Sequence, residues 1–219
     1  MALGLIPKRT DFIPIIKYDA RSGIFTRVDR VQSAGGQWQS EEAQLKDPEF
    51  LCDLAQVEIG WMRFVGVPDF VMVHRQQAVP TQPSDDHRLG FRVLLMLAEA
   101  HALDGEAGDL RHFSNSSKTV MGAFDKLDND FQRSKESNDP DLVPRVKVTG
   151  VEALKIRTPQ GQSNFQRPVF TIIGWDDYPI EFTEHHAAQQ EEQEQAEIGG
   201  NTSAQNGDTA DDPNDLPFE

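Results

Sequence analysis

The C-terminal quarter of the chain differs in composition from the rest and limits how much of the sequence can fold around a core. No Lys or Arg follows Arg167, and 13 of the 36 acidic residues lie C-terminal to it. From residue 184 onward the sequence is dominated by Gln, Glu, Ala, Asn, Gly and Asp without hydrophobic periodicity. Such a segment buries too little apolar surface to offset its ordering entropy. We therefore predict a folded domain over residues 1–183 and a disordered acidic tail over residues 184–219.

The same division decides what the net charge of −15 means for nucleic-acid binding. Residues 1–167 contain all 21 basic residues and the other 23 acidic residues, which gives a net charge of −2 and leaves −13 for the C-terminal quarter. A polyanion binds where Lys and Arg are locally concentrated. Because residues 1–167 are nearly neutral, this part of the chain can hold a basic groove, and the overall acidity does not exclude nucleic acid as a partner.

The cysteine count and the length of the apolar runs limit which kinds of metal site, disulfide and membrane segment the chain can contain. The single Cys52 excludes an internal disulfide and a zinc site built on several thiolates. The apolar run from Val93 to Ala98 is far shorter than a membrane span, and the apolar stretch at the N-terminus is too short for a signal peptide. We expect a cytoplasmic protein without a membrane partner.

Short β-type segments occupy most of the predicted domain. Two β-prone runs at 13–18 and 24–31 flank a turn that contains Gly, which is typical of a hairpin. The branched and aromatic residues of the segment 90–97 favour a buried strand. Alternation over 145–157 predicts a long strand, and Gly150 falls where this strand would need a bulge to bend. A turn then returns the chain as the second strand of a hairpin.

One amphipathic helix interrupts these strands. It is predicted to begin at Ser116 or Ser117, with an apolar stripe on one side and charged residues on the other. The stripe consists of Val120, Met121, Phe124, Leu127 and Phe131. Short strands, one bulged long strand and one inserted helix indicate a mainly β fold, which we interpret as a small Greek-key β-barrel of the OB type.

The last residues of the chain combine acidic and apolar side chains in a pattern suited to docking. Leu216 and Phe218 on either side of Pro217 form a stiff plug for a hydrophobic pocket, and the nearby acids would pair with Lys or Arg at its rim. The alternative is an acidic tail that only keeps the protein in solution. The concentration of apolar residues in the final positions favours docking. The predicted partner-binding residues are Asp211, Asp212, Asp215, Leu216, Pro217 and Phe218.

This tip resembles the C-terminus of bacterial and phage single-stranded-DNA-binding proteins, which end in a disordered acidic tail with acids, an apolar residue, Pro and Phe. The chain departs from that pattern at Glu219, because the family uses the terminal carboxylate beside the Phe for docking. The resemblance implies an OB domain of the phage or prophage type that binds single-stranded DNA in replication, recombination and repair. It also implies a location in the bacterial host cytoplasm and a tail that recruits replication or recombination enzymes. A homo-oligomer is compatible with it.

Basic and aromatic residues alternate in the predicted domain, as binding of a single strand requires. Lys and Arg neutralise phosphates, while each aromatic face that stacks on a base contributes about 1–3 kcal/mol. The alternative is that the cations mark solvated strand faces and that the aromatic rings fill the core. The densest group lies in the second predicted hairpin with Phe165 at its tip, and Trp38 and Phe64 are further aromatic candidates. The predicted DNA-binding residues are Lys17, Arg21, Phe25, Arg27, Trp61, Arg63, Arg145, Lys147, Lys155, Arg157, Phe165 and Arg167.

The sequence shows no short catalytic motif. The pair His185-His186 and the run Asp85-Asp86-His87 lack a second cluster at metal-ligand spacing, and there is no phosphate loop, nucleophile elbow or HExxH pattern. We therefore predict a non-enzymatic protein without cofactor or metal. One alternative is a phage protein-interaction adaptor or a DNA-mimicking inhibitor. Another is a nuclease or other phosphoryl-transfer enzyme, which would need two or three carboxylates of the predicted domain to converge in one cleft.

Overall fold

The computed structural model describes residues 14–33, 35–66, 68–98, 109–158 and 161–201. The chain divides into two units, Met1–Pro179 and Ile180–Glu219. The described part of the first unit contains ten strands and one α-helix, α1 (Lys118–Arg133). The strands are β1 (Ile15–Asp19), β2 (Ile24–Gln32), β3 (Trp38–Leu45), β4 (Glu49–Cys52), β5 (Glu58–Arg63), β6 (Asp69–His74), β7 (Arg88–Leu97), β8 (Asp109–Asn115), β9 (Leu142–Thr158) and β10 (Gly161–Asp177).

The ten strands form one sheet in the order β10-β9-β4-β7-β8-β1-β2-β3. β5 pairs with the N-terminal half of β7 and carries β6 on its other side. Neighbouring strands are antiparallel except β1 and β8, which are parallel. The mainly β class and the helix inserted between two strands are therefore confirmed.

Among the described strands the hydrogen-bonded ladder does not close into a barrel. The prediction of a closed β-barrel is therefore wrong. β10 and β3 end the path, and nearly all side chains of β3 are exposed. The sheet nevertheless curls enough to bring β10 against the turn that follows β1. The Gln166 N–H donates to the carbonyl of Ala20 (2.7 Å), and the Tyr18 hydroxyl donates to the carbonyl of Gln166 (2.9 Å).

The core lies between the curled sheet and α1. The helix buries the predicted stripe, with Met121 partly buried at its margin. Phe124 stacks on Phe91 with ring centroids 4.0 Å apart, and the edge of Phe170 approaches the same ring. Because these aromatic rings come from a helix and from strands distant in sequence, they fix the helix on the concave side of the sheet.

β9 and β10 form a long hairpin whose distal part we call the arm, defined as residues 151–157 and 161–168. Thr149 is left without a ladder partner where the register shifts, so the predicted bulge next to Gly150 is confirmed. Val151 and Gln166 face the β1–β2 turn, because a Cβ added to Gly23 would lie 3.5 Å and 3.0 Å from their side chains. We call this side of the arm the inner face and the opposite side the outer face.

The second unit contributes the helix α2 (Ile180–Asn201) to the described residues. Residues 184–201 are thus helical, although disorder was predicted for them. Glu, Gln and Ala have high intrinsic helix propensity, and a helix satisfies its own backbone without needing an apolar stripe. The docking tip at residues 211–219 lies outside the described residues. No helix in the described ranges is long and apolar enough to cross a membrane.

Candidate nucleic-acid interface

The twelve predicted DNA-binding residues do not form one surface, and two of them belong to the interior. Phe25 is buried and its ring packs against Phe113 and Phe170, so its prediction as a base platform is wrong. Arg27 is largely buried and donates to Asp29 (2.8 Å). Arg111, which is completely buried, forms an ion pair with the same carboxylate. Arg27 therefore helps to balance a buried charge cluster instead of presenting a cation to solvent.

The outer face continues from the arm along the rest of the β9–β10 hairpin. It holds three of the predicted cations, and each has a carboxylate partner. Arg145 donates to both oxygens of Asp176 (2.7 and 2.6 Å), and this pairing raises the pKa of the guanidinium. Lys147 lies 3.9 Å from a Glu49 oxygen. These two cations are already neutralised locally, which weakens their attraction for phosphate.

The third cation of the outer face is Arg167, which forms an ion pair with the opposed Glu152 and holds the pKa of that carboxyl below its usual range. Phe165 lies nearby on the same face, opposite Leu154 and half-buried. Its predicted place at the tip of the hairpin is thus wrong, because four further residue pairs separate it from the turn. The predicted groove of five cations around this ring is not formed.

The inner face of the arm keeps the remaining two cations accessible. Lys155 and Arg157 are exposed, share this face with the opposed Asn164 and Gln162, and form no ion pair within the described part of the chain. Arg21 is exposed in the β1–β2 turn, whose Ala20 carbonyl accepts from Gln166. Since Gln166 opposes Ala153, Lys155 follows about 7 Å further along the face. We call Arg21 on the β1–β2 turn and Lys155 and Arg157 on the inner face of the arm, taken together, the cationic surface.

An open cleft of about 570 Å³ runs along the whole of β1. Its walls come from β1, from the end of β8 with the residues before α1, and from the tip of the β5–β6 hairpin. Lys17 lines the cleft and is exposed, with its ammonium 2.9 Å from Glu42. Asn115, Ser116 and Ser117 add polar groups. The cleft thus combines a cation with hydrogen-bonding side chains.

Two exposed phenylalanines mark the rim of this cleft. Phe64 and Phe70 are 52% and 38% exposed, and their rings meet edge to face with centroids 5.5 Å apart. They flank the tip of the β5–β6 hairpin, where Arg63 and Asp69 form the last ladder pair (3.6 Å between Nη2 and Oδ2). Neighbouring exposed apolar side chains that form a patch often mark a contact site. Their position at the rim of the cleft suits base stacking.

Buried anchors hold the elements around the cleft in place. The Trp61 indole donates to the carbonyl of Pro80 (2.7 Å), so this predicted stacking residue is half-buried and fastens the 76–87 loop to β5. His87 is buried in the same loop, within 3.3 Å of Asp69. Burial raises the pKa of Tyr18 to about 12, so its hydroxyl stays a donor that links β1 to the arm.

The charge balance near the β1–β2 turn is set by one acid. The backbone N–H of Arg21 and the Ser22 hydroxyl donate to Asp19 and lower the pKa of its carboxyl. Asp19 therefore remains ionised and places a negative charge in the lining of the cleft. A polyanion would meet attraction mainly at the cationic surface, because Lys17, like Arg145 and Lys147, already has a carboxylate partner.

Sequence reasoning missed Phe70 and gave little weight to Phe64. The available signal was two aromatic residues on either side of a short segment with Gly66 and Pro68, which is where a hairpin tip belongs. Within the described ranges no three His, Cys, Asp or Glu side chains group as metal ligands. Comparison of the chain with protein-family models, curated proteins and solved structures finds no match.

Proposed function

We propose that this protein is a non-enzymatic binder of single-stranded DNA with little sequence preference. The observation that carries the proposal is the exposed Phe64–Phe70 pair beside Lys17 at the rim of the cleft. A strand would stack bases on these rings and follow β1 toward Arg21, Lys155 and Arg157. Stacking with phosphate neutralisation is how proteins bind single strands without reading sequence. Replication, recombination and repair, in a phage or its bacterial host, are the processes in which such coating is needed.

The OB-type assignment belongs to this proposal. The hydrogen bond from Gln166 to Ala20 brings β10 to the turn after β1, so that the sheet approaches the shape of a barrel without a closed ladder. OB folds bind oligonucleotides on an exposed strand face between loops. β1 and the β5–β6 tip would take that role here.

Titration with oligo-dT over a range of salt concentrations tests the proposal. We expect log affinity to fall linearly with log salt, because each neutralised phosphate of a single strand contributes about 0.7 to the slope. Replacing Lys155 and Arg157 together with Ala is expected to reduce the slope by about 1.4. Arg145→Ala is the matched control, since this guanidinium is equally accessible but held by Asp176. An absence of binding at low salt, or a slope unaffected by the double variant, would contradict the proposal.

The tail has a separate role in the proposal. Its tip would dock replication or recombination proteins by inserting Leu216 and Phe218 into an apolar pocket with a basic rim. We expect deletion of residues 211–219 to leave oligo-dT affinity unchanged or raised, because the deletion removes negative charge that competes with DNA. Partner capture from a host lysate by the purified full chain should be lost in the same variant. Loss of DNA binding on this deletion would place the DNA site in the tail and overturn the assignment.

A protein-interaction adaptor is the second candidate function. It is favoured by the outer face of the β9–β10 hairpin, where Arg145, Lys147 and Arg167 are all paired with acids. The titration separates the two candidates, because an adaptor without nucleic-acid binding would not respond to oligo-dT at any salt concentration.

A further inference from the structure

A groove of about 270 Å³, which we call the α1 groove, lies between α1 and the strands β5 and β7. The stacked and buried rings of Phe91 and Phe124 form its floor, and Ile59, which opposes Phe91 in the ladder, lines it from β5. Val79 and Leu89 also line it and are 37% and 42% exposed. Covering these accessible side chains with a partner would be favourable.

Two charged residues of the α1 groove neutralise each other. Arg75 donates to both oxygens of Asp128 and also to the carbonyl of Leu54 (3.2 Å). The hydrogen bonds with Asp128 raise the pKa of the guanidinium. Because both side chains are only partly exposed and both are engaged, this ion pair serves as a fixed wall of the groove and offers little charge to a ligand.

Asp125 supplies the charge that a ligand of the α1 groove would meet. It lines the groove one helical turn before Asp128, is exposed, and forms no ion pair within the described part of the chain. A carboxylate beside an apolar surface attracts a cation and repels phosphate. The groove therefore suits a Lys or Arg that stands next to large apolar side chains, and it suits neither DNA nor the acidic tip of the tail.

We propose that a partner protein docks in the α1 groove with a segment that places a Lys or Arg beside large apolar side chains. The lining residues of α1 lie between Met121 and Asp128, about 10 Å of helix, which is room for about two turns of an amphipathic partner helix. Its apolar anchors would cover Val79 and Leu89, and its cation would pair with Asp125. This docking is separate from recruitment through the tail and does not depend on the proposed DNA binding.

Titration of the full chain with a short capped peptide, followed by amide chemical shifts in NMR spectra, tests the proposal. The peptide carries Leu and Phe at helical spacing and one Arg as its only charge. We expect saturable shifts at the residues that line the groove. Val79→Gln with Leu89→Gln should weaken binding about tenfold or more. The matched control is Val151→Gln with Ile156→Gln, which are 46% and 38% exposed outside the groove. The proposal is wrong if no saturable shift occurs or if the control weakens binding equally.

Exchange of charge supplies a second test that misfolding cannot imitate. Asp125→Lys should weaken binding of the Arg peptide about fivefold, the upper end for an exposed ion pair. The same variant should bind a peptide with Glu in place of Arg more tightly than the wild type does. Asp130→Lys is the matched control, because Asp130 is exposed on the same helix and does not line the groove. Equal effects of the two Lys variants would contradict the pairing with Asp125.

The N-terminus of the chain itself is the competing occupant of the α1 groove. Residues 1–13 also combine apolar side chains, such as Leu5 and Ile6, with the cations Lys8 and Arg9. We expect a variant that lacks residues 1–13 to bind the Arg peptide with the affinity of the full chain. If the peptide binds only after this deletion, or about tenfold more tightly, the N-terminus fills the groove and the assignment to a partner protein is wrong.

Discussion

Replacing Phe64 or Phe70 with Ala is expected to lower the affinity for oligo-dT by about fivefold or more. Stacking of one base on an aromatic ring contributes about 1–3 kcal/mol, which corresponds to a factor of roughly 5 to 150 in the dissociation constant. Both rings are exposed, so their loss removes little buried surface from the folded state. We expect the thermal midpoint of each variant to remain close to that of the wild type.

Fluorescence anisotropy of a labelled oligo-dT at fixed salt measures this effect. Trp38→Ala is the matched control, because Trp38 is 56% exposed on β3 and does not line the cleft. Its affinity is expected to equal that of the wild type. The cleft would lose its assignment if Trp38→Ala weakened binding while the two Phe variants left it intact, and the strand path would then follow β3.

Replacing Asp29 with Ala is expected to remove about 3–5 kcal/mol from the free energy of unfolding, the cost of leaving a buried cation without its partner. Arg111 is completely buried and Arg27 is largely buried, and both pair with this one carboxylate. Once Asp29 is gone, the Arg111 guanidinium stays in the interior and has lost the Asp29 carboxylate. Urea denaturation followed by tryptophan fluorescence measures the loss.

A control variant and a compensating variant accompany the urea denaturation of the Asp29 variant. Glu42→Ala breaks the exposed pair with Lys17 and should cost at most about 1 kcal/mol. Combining Asp29→Ala with Arg111→Met should recover part of the loss, because a buried ion pair can be replaced by apolar groups of similar volume. A single Asp29 variant as stable as the Glu42 variant would show that the cluster does not hold the β2–β8 region together.

Local patterns in the sequence were sufficient to predict the helix and strands that bury one face against the core. The stripe of α1 and the bulged strand β9 were predicted because their periodicity reports directly which side meets the core. β3 was missed because nearly all its side chains are exposed, so its sequence does not alternate. α2 was missed because helix propensity without an apolar stripe resembles disorder.

The candidate site was harder to predict because pairing partners are distant in sequence. Arg145 and Arg167 look alike in the sequence until Asp176 and Glu152 are placed beside them. Phe25 and Phe64 both stand within two residues of an Arg, yet one lies in the core and the other on a hairpin tip. Composition identified candidate residue types, and only the register of the sheet decided which of them face solvent.

The parallel pairing of β1 with β8 has a consequence for how the chain folds during synthesis. Ile15 pairs with His112, which is 97 residues later in the chain. The hydroxyl of Tyr18 donates to Gln166, which is later still. At about 5–20 residues per second, a ribosome needs roughly 5–20 s to make the segment between Ile15 and His112. Contacts between residues this distant in sequence also lower the folding rate. The N-terminal hairpin is therefore made first and docked late, and until then its apolar side is open to chaperones.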